Sequence, residues 1–247
     1  MSGASRTRTT KTRETGGDAV GPRHSGTIPP ARKPPRGRPA EPAAQLRTDA
    51  RRNLEQVLRA AREVFGELGY DAPMEEIARR AGVGVGTIYR RFTGKEALVQ
   101  RIMIAETNRL TAEAISALDE EPDAWSALAR YLRRAVGSGA GRLFPALSGR
   151  VPVTEEMASS RAELNDAVAA LVERAKAGGL LRADVSDADI SLMMSCLLPP
   201  SGLPQPQRLT IAGRYLEILL DGLHAGHSSP LPGKPFTQGE LDSLFLS

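Results

Sequence analysis

Apolar residues take up helical spacing from Arg47 onward. Leu54, Val57, Leu58, Ala61, Val64, Phe65 and Leu68 fall on one stripe of a 3.6-residue period, with Arg51, Arg52, Arg59, Arg62 and Glu63 on the other side. Gly69 is expected to end this helix. Pro73 suits the first turn of a second, short helix, where Glu75 and Glu76 complement the positive end of the helix dipole. Its inward stripe is Met74, Ile77, Ala78 and Ala81. Gly82-Val83-Gly84 interrupts it, and a third helix is expected from about Val85 to Phe92. Gly82 supplies the positive φ that the turn demands, and Val83 is an apolar plug between the two helices. Ile88 and Phe92 are read as inward; Val85, Thr87, Arg90 and Arg91 are read as outward. Two short helices joined by a brief glycine-containing turn make a helix-turn-helix.

Thr93 and Glu96 have capping-box spacing and are expected to open a long fourth helix carrying Leu98, Ile102, Ala105, Leu110, Ala114 and Leu118. The acidic stretch Asp119 to Asp123 follows. Further helical stripes are Trp125, Leu128, Leu132 and Val136; Leu143, Phe144 and Leu147; Leu164, Val168, Leu171 and Val172, ended by Gly178-Gly179; Ile190, Met193, Met194, Leu197 and Leu198; and a last segment from Leu209 to about Leu223. No run alternates in the manner of a strand, so the expected fold is all-α. The last segment is apolar over most of its circumference. Ile211, Tyr215, Ile218 and Gly222 share one face, and Ala212, Leu216, Leu219, Leu220 and Leu223 the adjoining ones, a pattern that asks for burial on two sides.

Charge divides the chain. Residues 1–50 hold ten basic and four acidic groups, 51–100 nine and seven, and the remaining 147 fourteen and eighteen, so a formal +4 conceals nets of +6, +2 and −4. A basic front and an acidic back is expected where one end meets a polyanion. Residues 1–46 are rich in Gly, Pro, Ser, Thr and Arg with almost nothing large to bury, and a disordered tail is expected there. Its densest part, residues 29–39, reads either as a cationic arm on nucleic acid or as a solvated tail. The one cysteine, Cys196, excludes an intrachain disulfide framework and is read as a small core residue. No apolar run reaches the roughly 20 residues of a membrane span, and no apolar segment follows the N-terminal charges as in a secretory signal. A cytoplasmic, nucleoid-associated protein without membrane contact is expected.

The span Gly69-Tyr70 … Ile77-Ala78 … Ala81-Gly82-Val83-Gly84-Val85-Gly86-Thr87-Ile88-Tyr89-Arg90-Arg91-Phe92 … Lys95-Glu96-Ala97-Leu98 resembles the DNA-binding domain of the tetracycline-repressor (TetR) family. The resemblance is most specific over about residues 50–107; over 120–226 it rests on helix number, length and order. It implies a third helix in the major groove, with Gly84, Val85, Thr87 and Arg90 near base edges and Tyr89 on a phosphate. Lys95 at the start of the fourth helix and Arg51 and Arg52 at the start of the first are implied backbone contacts. Gly84 and Gly94 stand where the family often has a serine cap, which costs a few tenths of a kcal/mol and removes side-chain phosphate contacts. Gly82-x-Gly84-x-Gly86 is no dinucleotide loop, since no strand precedes it.

The expected organisation is a tail over 1–46, a three-helix DNA-binding domain over 47–107 with its helix-turn-helix at about 73–92, a helical regulatory and dimerisation domain over 108–226, and an extension over 227–247. The resemblance implies a homodimer through the last two helices, with Met193, Met194, Leu197, Tyr215, Ile218 and Leu219 as interface candidates. It also implies a small-molecule pocket, for which Met103, Trp125, Leu128, Tyr131, Phe144, Leu147, Met157 and Leu164 are candidates because Met, Trp and Tyr suit an adaptable apolar cavity. No carboxylates cluster among them, so an effector that is apolar and either uncharged or anionic is expected. No cofactor and no metal are expected: His224 and His227 lack a third ligand at useful spacing. Nor is there a nucleophile elbow, a phosphate loop or a metal cluster to carry catalysis. The leading expectation is a dimeric repressor released from its operator by an effector. The alternative is an architectural protein that binds DNA without sequence discrimination or ligand.

Overall fold

The computed structural model describes residues 43–197, 203–226 and 229–245. Among them the chain is helical, in the order α1 (Ala43–Leu68), α2 (Met74–Ala81), α3 (Val85–Arg91), α4 (Lys95–Glu120), α5 (Ala124–Ser138), α6 (Ala140–Leu147), α7 (Glu155–Ala177), α8 (Asp187–Cys196), α9 (Gln205–Leu223) and α10 (Gln238–Phe245). Pairing outside helices is limited to one isolated bridge between Leu181 and His224 among the described residues. The expected tail lies outside the described residues, except that α1 begins at Ala43, earlier than the pattern placed it.

Two apolar cores organise the helices. The first gathers Val57, Ala61, Val64 and Phe65 of α1, Met74, Ile77 and Ala78 of α2, Ile88 of α3, and Leu98, Val99 and Ile102 of α4. Leu143 and Leu147 of α6 join it from outside the three-helix unit. The second gathers Leu110, Ala114 and Ala117 of α4 with Leu128 and Leu132 of α5, Leu171 and Val172 of α7, and Leu216 and Leu220 of α9. Helix α4 therefore belongs to both cores, and the boundary expected at 107–108 falls inside one unbroken helix. A polar clasp reinforces this junction: Glu106, 1% exposed, accepts hydrogen bonds from Arg62 of α1 at 2.8 Å and from Arg109 at 2.6 Å. Burial alone would push the Glu106 carboxyl up, but the Arg109 and Arg62 guanidinium groups reverse this and hold it below the usual carboxylate range.

Helix ends follow local chemistry with three corrections. Asp123, Thr154 and Ser186 cap α5, α7 and α8 through their side chains, Ser186 and Asp189 forming a full capping box. The box expected from Thr93 and Glu96 does not form; the cap of α4 is Gly94, at φ 150°, with no side-chain bond. Cys196 is exposed rather than part of the core, because α8 ends there with that face outward. Leu68, read as part of the buried stripe, is 55% exposed where α1 runs out at Gly69.

The extension after α9 is not a plain tail. Its backbone is tied to the loop before α8 and to the start of that helix: Arg182 donates to the Ser229 carbonyl at 2.6 Å, the Leu231 amide donates to Asp184 at 2.9 Å, Ser186 Oγ donates to the Phe236 carbonyl at 2.8 Å, and the Phe236 amide donates to Asp189 at 3.2 Å. Helix α10 then packs on α8 and buries Leu241 to 1% exposure.

Candidate functional site

The exposed end of the N-terminal unit is built on the α2–α3 turn. Gly82 caps α2 at φ 67°, its amide and that of Val83 returning to carbonyls of α2, and Gly84 then starts α3 in extended conformation. The turn buries Ile88 and leaves Gly84, Gly86, Tyr89, Arg90 and Arg91 exposed. Arg90 donates to Thr87 Oγ1 at 3.0 Å, which aligns its guanidinium along the helix. No carboxylate pairs with Arg90 or Arg91 among the described residues. The arginines of α2 differ: Arg79 and Arg80 are both held by Glu76, and Arg80 also reaches Glu67 of α1 at 2.7 Å. Thus α2 is clamped in place while α3 presents its cations to solvent.

Other expected contact residues divide into two groups. Arg51 and Arg52 are exposed on α1, each near a carboxylate one turn away, Glu55 at 3.8 Å and Asp49 at 3.9 Å. Lys95 donates to the Tyr70 carbonyl at 3.1 Å and lies 5.3 Å from the Tyr70 ring centre, so its ammonium sits at the start of α4 with donors to spare. Val85 departs from its outward reading: it is half-buried against the first core, and α3 turns only part of its surface outward. Neither Gly84 nor Gly94 supplies a side-chain cap, as expected for glycine in a serine position.

A cavity of about 200 Å³ is lined by residues from every helix from α4 to α10. Met103, Tyr131, Phe144, Leu147, Met157 and Leu164 line it. Trp125 and Leu128, grouped with them from sequence, do not. Leu128 is sealed in the second core, and Trp125 packs edge-on against His224 with ring centres 5.0 Å apart. Burial of Tyr131 raises its pKa above the ordinary phenol value. Among the lining residues that sequence reading missed are Arg142, Arg208 and Leu241. The two arginines come from distant helices and have no pattern in common. Of the interface candidates, Tyr215 and Ile218 stand 54% and 64% exposed on α9. Met194 and Leu197 instead turn inward and line the cavity, while Met193 and Leu219 pack partly against the second core.

A family model described as bacterial regulatory proteins, tetR family, matches residues 57–102, and one described as the C-terminal domain of SbtR-like transcriptional regulators matches 123–225. A TetR transcription regulatory protein from Mycobacterium vanbaalenii is 32% identical, with a TM-score of 0.55, over 72% of this chain and 99% of that one. The chain belongs to the TetR family. Within it, the HTH-type transcriptional regulator UidR of Escherichia coli K12 is 37% identical over 68 residues, 27% of this chain and 35% of UidR. The match thus spans about a third of that relative. The regulator TtgW of Pseudomonas putida is 31% identical over 108 residues, 41% of this chain and 76% of TtgW. These TetR relatives are transcriptional regulators rather than enzymes. No helix among the described residues is long and apolar enough to cross a membrane.

Proposed function

We propose that the chain is a dimeric, sequence-specific transcriptional repressor that leaves its operator when a small molecule fills the cavity. The observation that carries this reading is the contrast between α2, whose arginines are neutralised by Glu67 and Glu76, and α3, whose Tyr89, Arg90 and Arg91 are exposed beside half-buried Thr87, with no carboxylate on either arginine among the described residues. Such a face fits the major groove: Arg90 and Thr87 toward base edges, Tyr89 and Lys95 toward phosphates. Gly84 and Gly86 let the backbone approach closely. One short recognition helix reads few base pairs, so two copies about 34–36 Å apart are needed, and exposed Tyr215 and Ile218 on α9 offer the two-fold contact.

Coupling runs through shared packing. The cavity touches α4 and α6, and both helices also enter the first core beneath the helix-turn-helix. A ligand that fits the cavity better when α4 has shifted draws the dimer toward a form with its reading heads displaced. A coupling of about 1–3 kcal/mol gives 5- to 150-fold release. Gel-shift titration of the chain on DNA flanking its own gene, against random DNA at matched salt, tests the reading. Preference for one fragment, relieved by a ligand, is expected; equal affinity for both with a steep salt slope favours the architectural alternative instead.

A further inference from the structure

The cavity is apolar over most of its wall, yet its charged lining residues are Arg142, Arg161 and Arg208, with no carboxylate among the described lining residues. Arg142 and Arg208 occupy a particular place in it. They also line the neighbouring groove of about 350 Å³, so they stand in the wall between the cavity and its polar approach. Arg208 is 7% exposed. Arg142 lies over α1, with Nη2 3.4 Å from where a Cβ on Gly66 would be. Burial lowers the Arg142 pKa, repulsion from Arg208 lowers it further, and Glu67 opposes both. Each guanidinium carries five donors in a fork that suits a carboxylate, sulfonate or phosphate, so two of them in one wall can hold a further anion beside the Glu67 carboxylate that already acts on both. The groove strengthens the same field: Arg59, Arg62 and Arg109 rim it, against Glu63 and Glu106.

We infer that the effector is an amphipathic organic anion, its carboxylate, sulfonate or phosphate held by Arg142 and Arg208 and its apolar body lying against Met103, Phe144, Leu147 and Leu164. This rests on the reading of the cavity as the effector site and narrows it to one ligand class. Tyr131 lines the same cavity, and its phenol O–H is a further donor there.

A matched pair of fluorescent probes tests it. 1-Anilinonaphthalene-8-sulfonate and N-phenyl-1-naphthylamine share one apolar framework and differ by the sulfonate. Titrated into the full chain, the sulfonate is expected to bind at least about tenfold more tightly, as charge-assisted bonding to guanidinium predicts. Arg142→Gln with Arg208→Gln should close that gap while N-phenyl-1-naphthylamine still binds, which also reports that the cavity is folded. Equal affinity of the unaltered chain for both probes overturns the anion assignment and leaves an apolar effector pocket standing. So does a gap that survives in the double variant. Binding of neither probe overturns the effector-site reading itself. If the double variant fails to fold, the comparison in the unaltered chain still decides the matter, repeated with the single variant Arg142→Lys, which keeps the charge and should keep the gap.

Discussion

The Glu67 carboxylate on α1 accepts a 2.7 Å hydrogen bond from Arg80 on α2, while Arg142 of α6 and Arg208 of α9 pull on the same carboxylate from the cavity side. One acidic side chain thus sits between the DNA-facing unit and the cavity wall. Hydrogen bonding from Arg80 holds its pKa below the usual carboxylate range. Glu67→Gln is expected to cost about 1 kcal/mol of stability, typical of a half-exposed ion pair. It should also weaken ligand release of DNA more than DNA binding itself. Thermal melts and gel shifts with and without ligand separate the two effects.

Acid should loosen α2 before it unfolds the rest. Hydrogen bonds from Arg79 and then Arg80 lower the Glu76 pKa from 4.5 to about 2. A carboxyl depressed on folding stabilises the folded form fully above its unfolded value and loses that contribution as pH falls through its folded one. Stability should therefore decline between about pH 4.5 and pH 2. Glu76→Gln is expected to flatten the decline, as followed by melting temperature against pH.

On α3, Tyr89 is 52% exposed and its removal should leave the fold intact. Tyr89→Phe is expected to weaken binding to all DNA sequences alike, whereas Arg90→Ala should cost about 1–3 kcal/mol on the preferred sequence and relax the preference. Competition binding with single-base operator variants distinguishes the two patterns. A uniform loss with Arg90→Ala would remove that residue from base reading.

Deleting residues 1–42 takes away the whole basic excess that precedes α1. Affinity should fall and its dependence on salt should flatten, because each neutralised phosphate contributes to the slope. Sequence preference should survive. Its loss would mean that the tail also reads bases.

Ile218→Glu places a charge on a face that is already 64% exposed in one copy. Light scattering should show a monomer that melts near the parent temperature and has lost most of its DNA affinity. A dimer that persists would move the interface off this part of α9.

Much of the helix-turn-helix was legible in the sequence because its signals are local. The stripe of α1, the glycine at Gly82 and the apolar Ile88 each depend on neighbours within a few residues. Features set by tertiary contact were not. Thr93 has capping-box spacing, but Gly94 turns the chain at φ 150° and takes the cap position. Trp125 and Leu128 share an apolar stripe with cavity residues, yet periodicity does not say which neighbour a stripe will meet. Arg142 and Arg208 resemble any surface arginine in sequence, and only the cavity wall they share makes them a pair. Val85 and Met194 show that inward and outward are matters of degree on short helices.

The C-terminal segment bears on time as well as shape. Leu241 forms part of the cavity wall, and the chain leading to it is pinned by backbone bonds to Ser186, Asp189, Arg182 and Asp184. A molecule leaving by that side must wait for several bonds to part together, so its residence would be governed by opening of the strap rather than by affinity alone. The cell would then keep a memory of the effector after its concentration has fallen, and ending the chain at Gly226 should shorten that memory, as stopped-flow release of N-phenyl-1-naphthylamine would record.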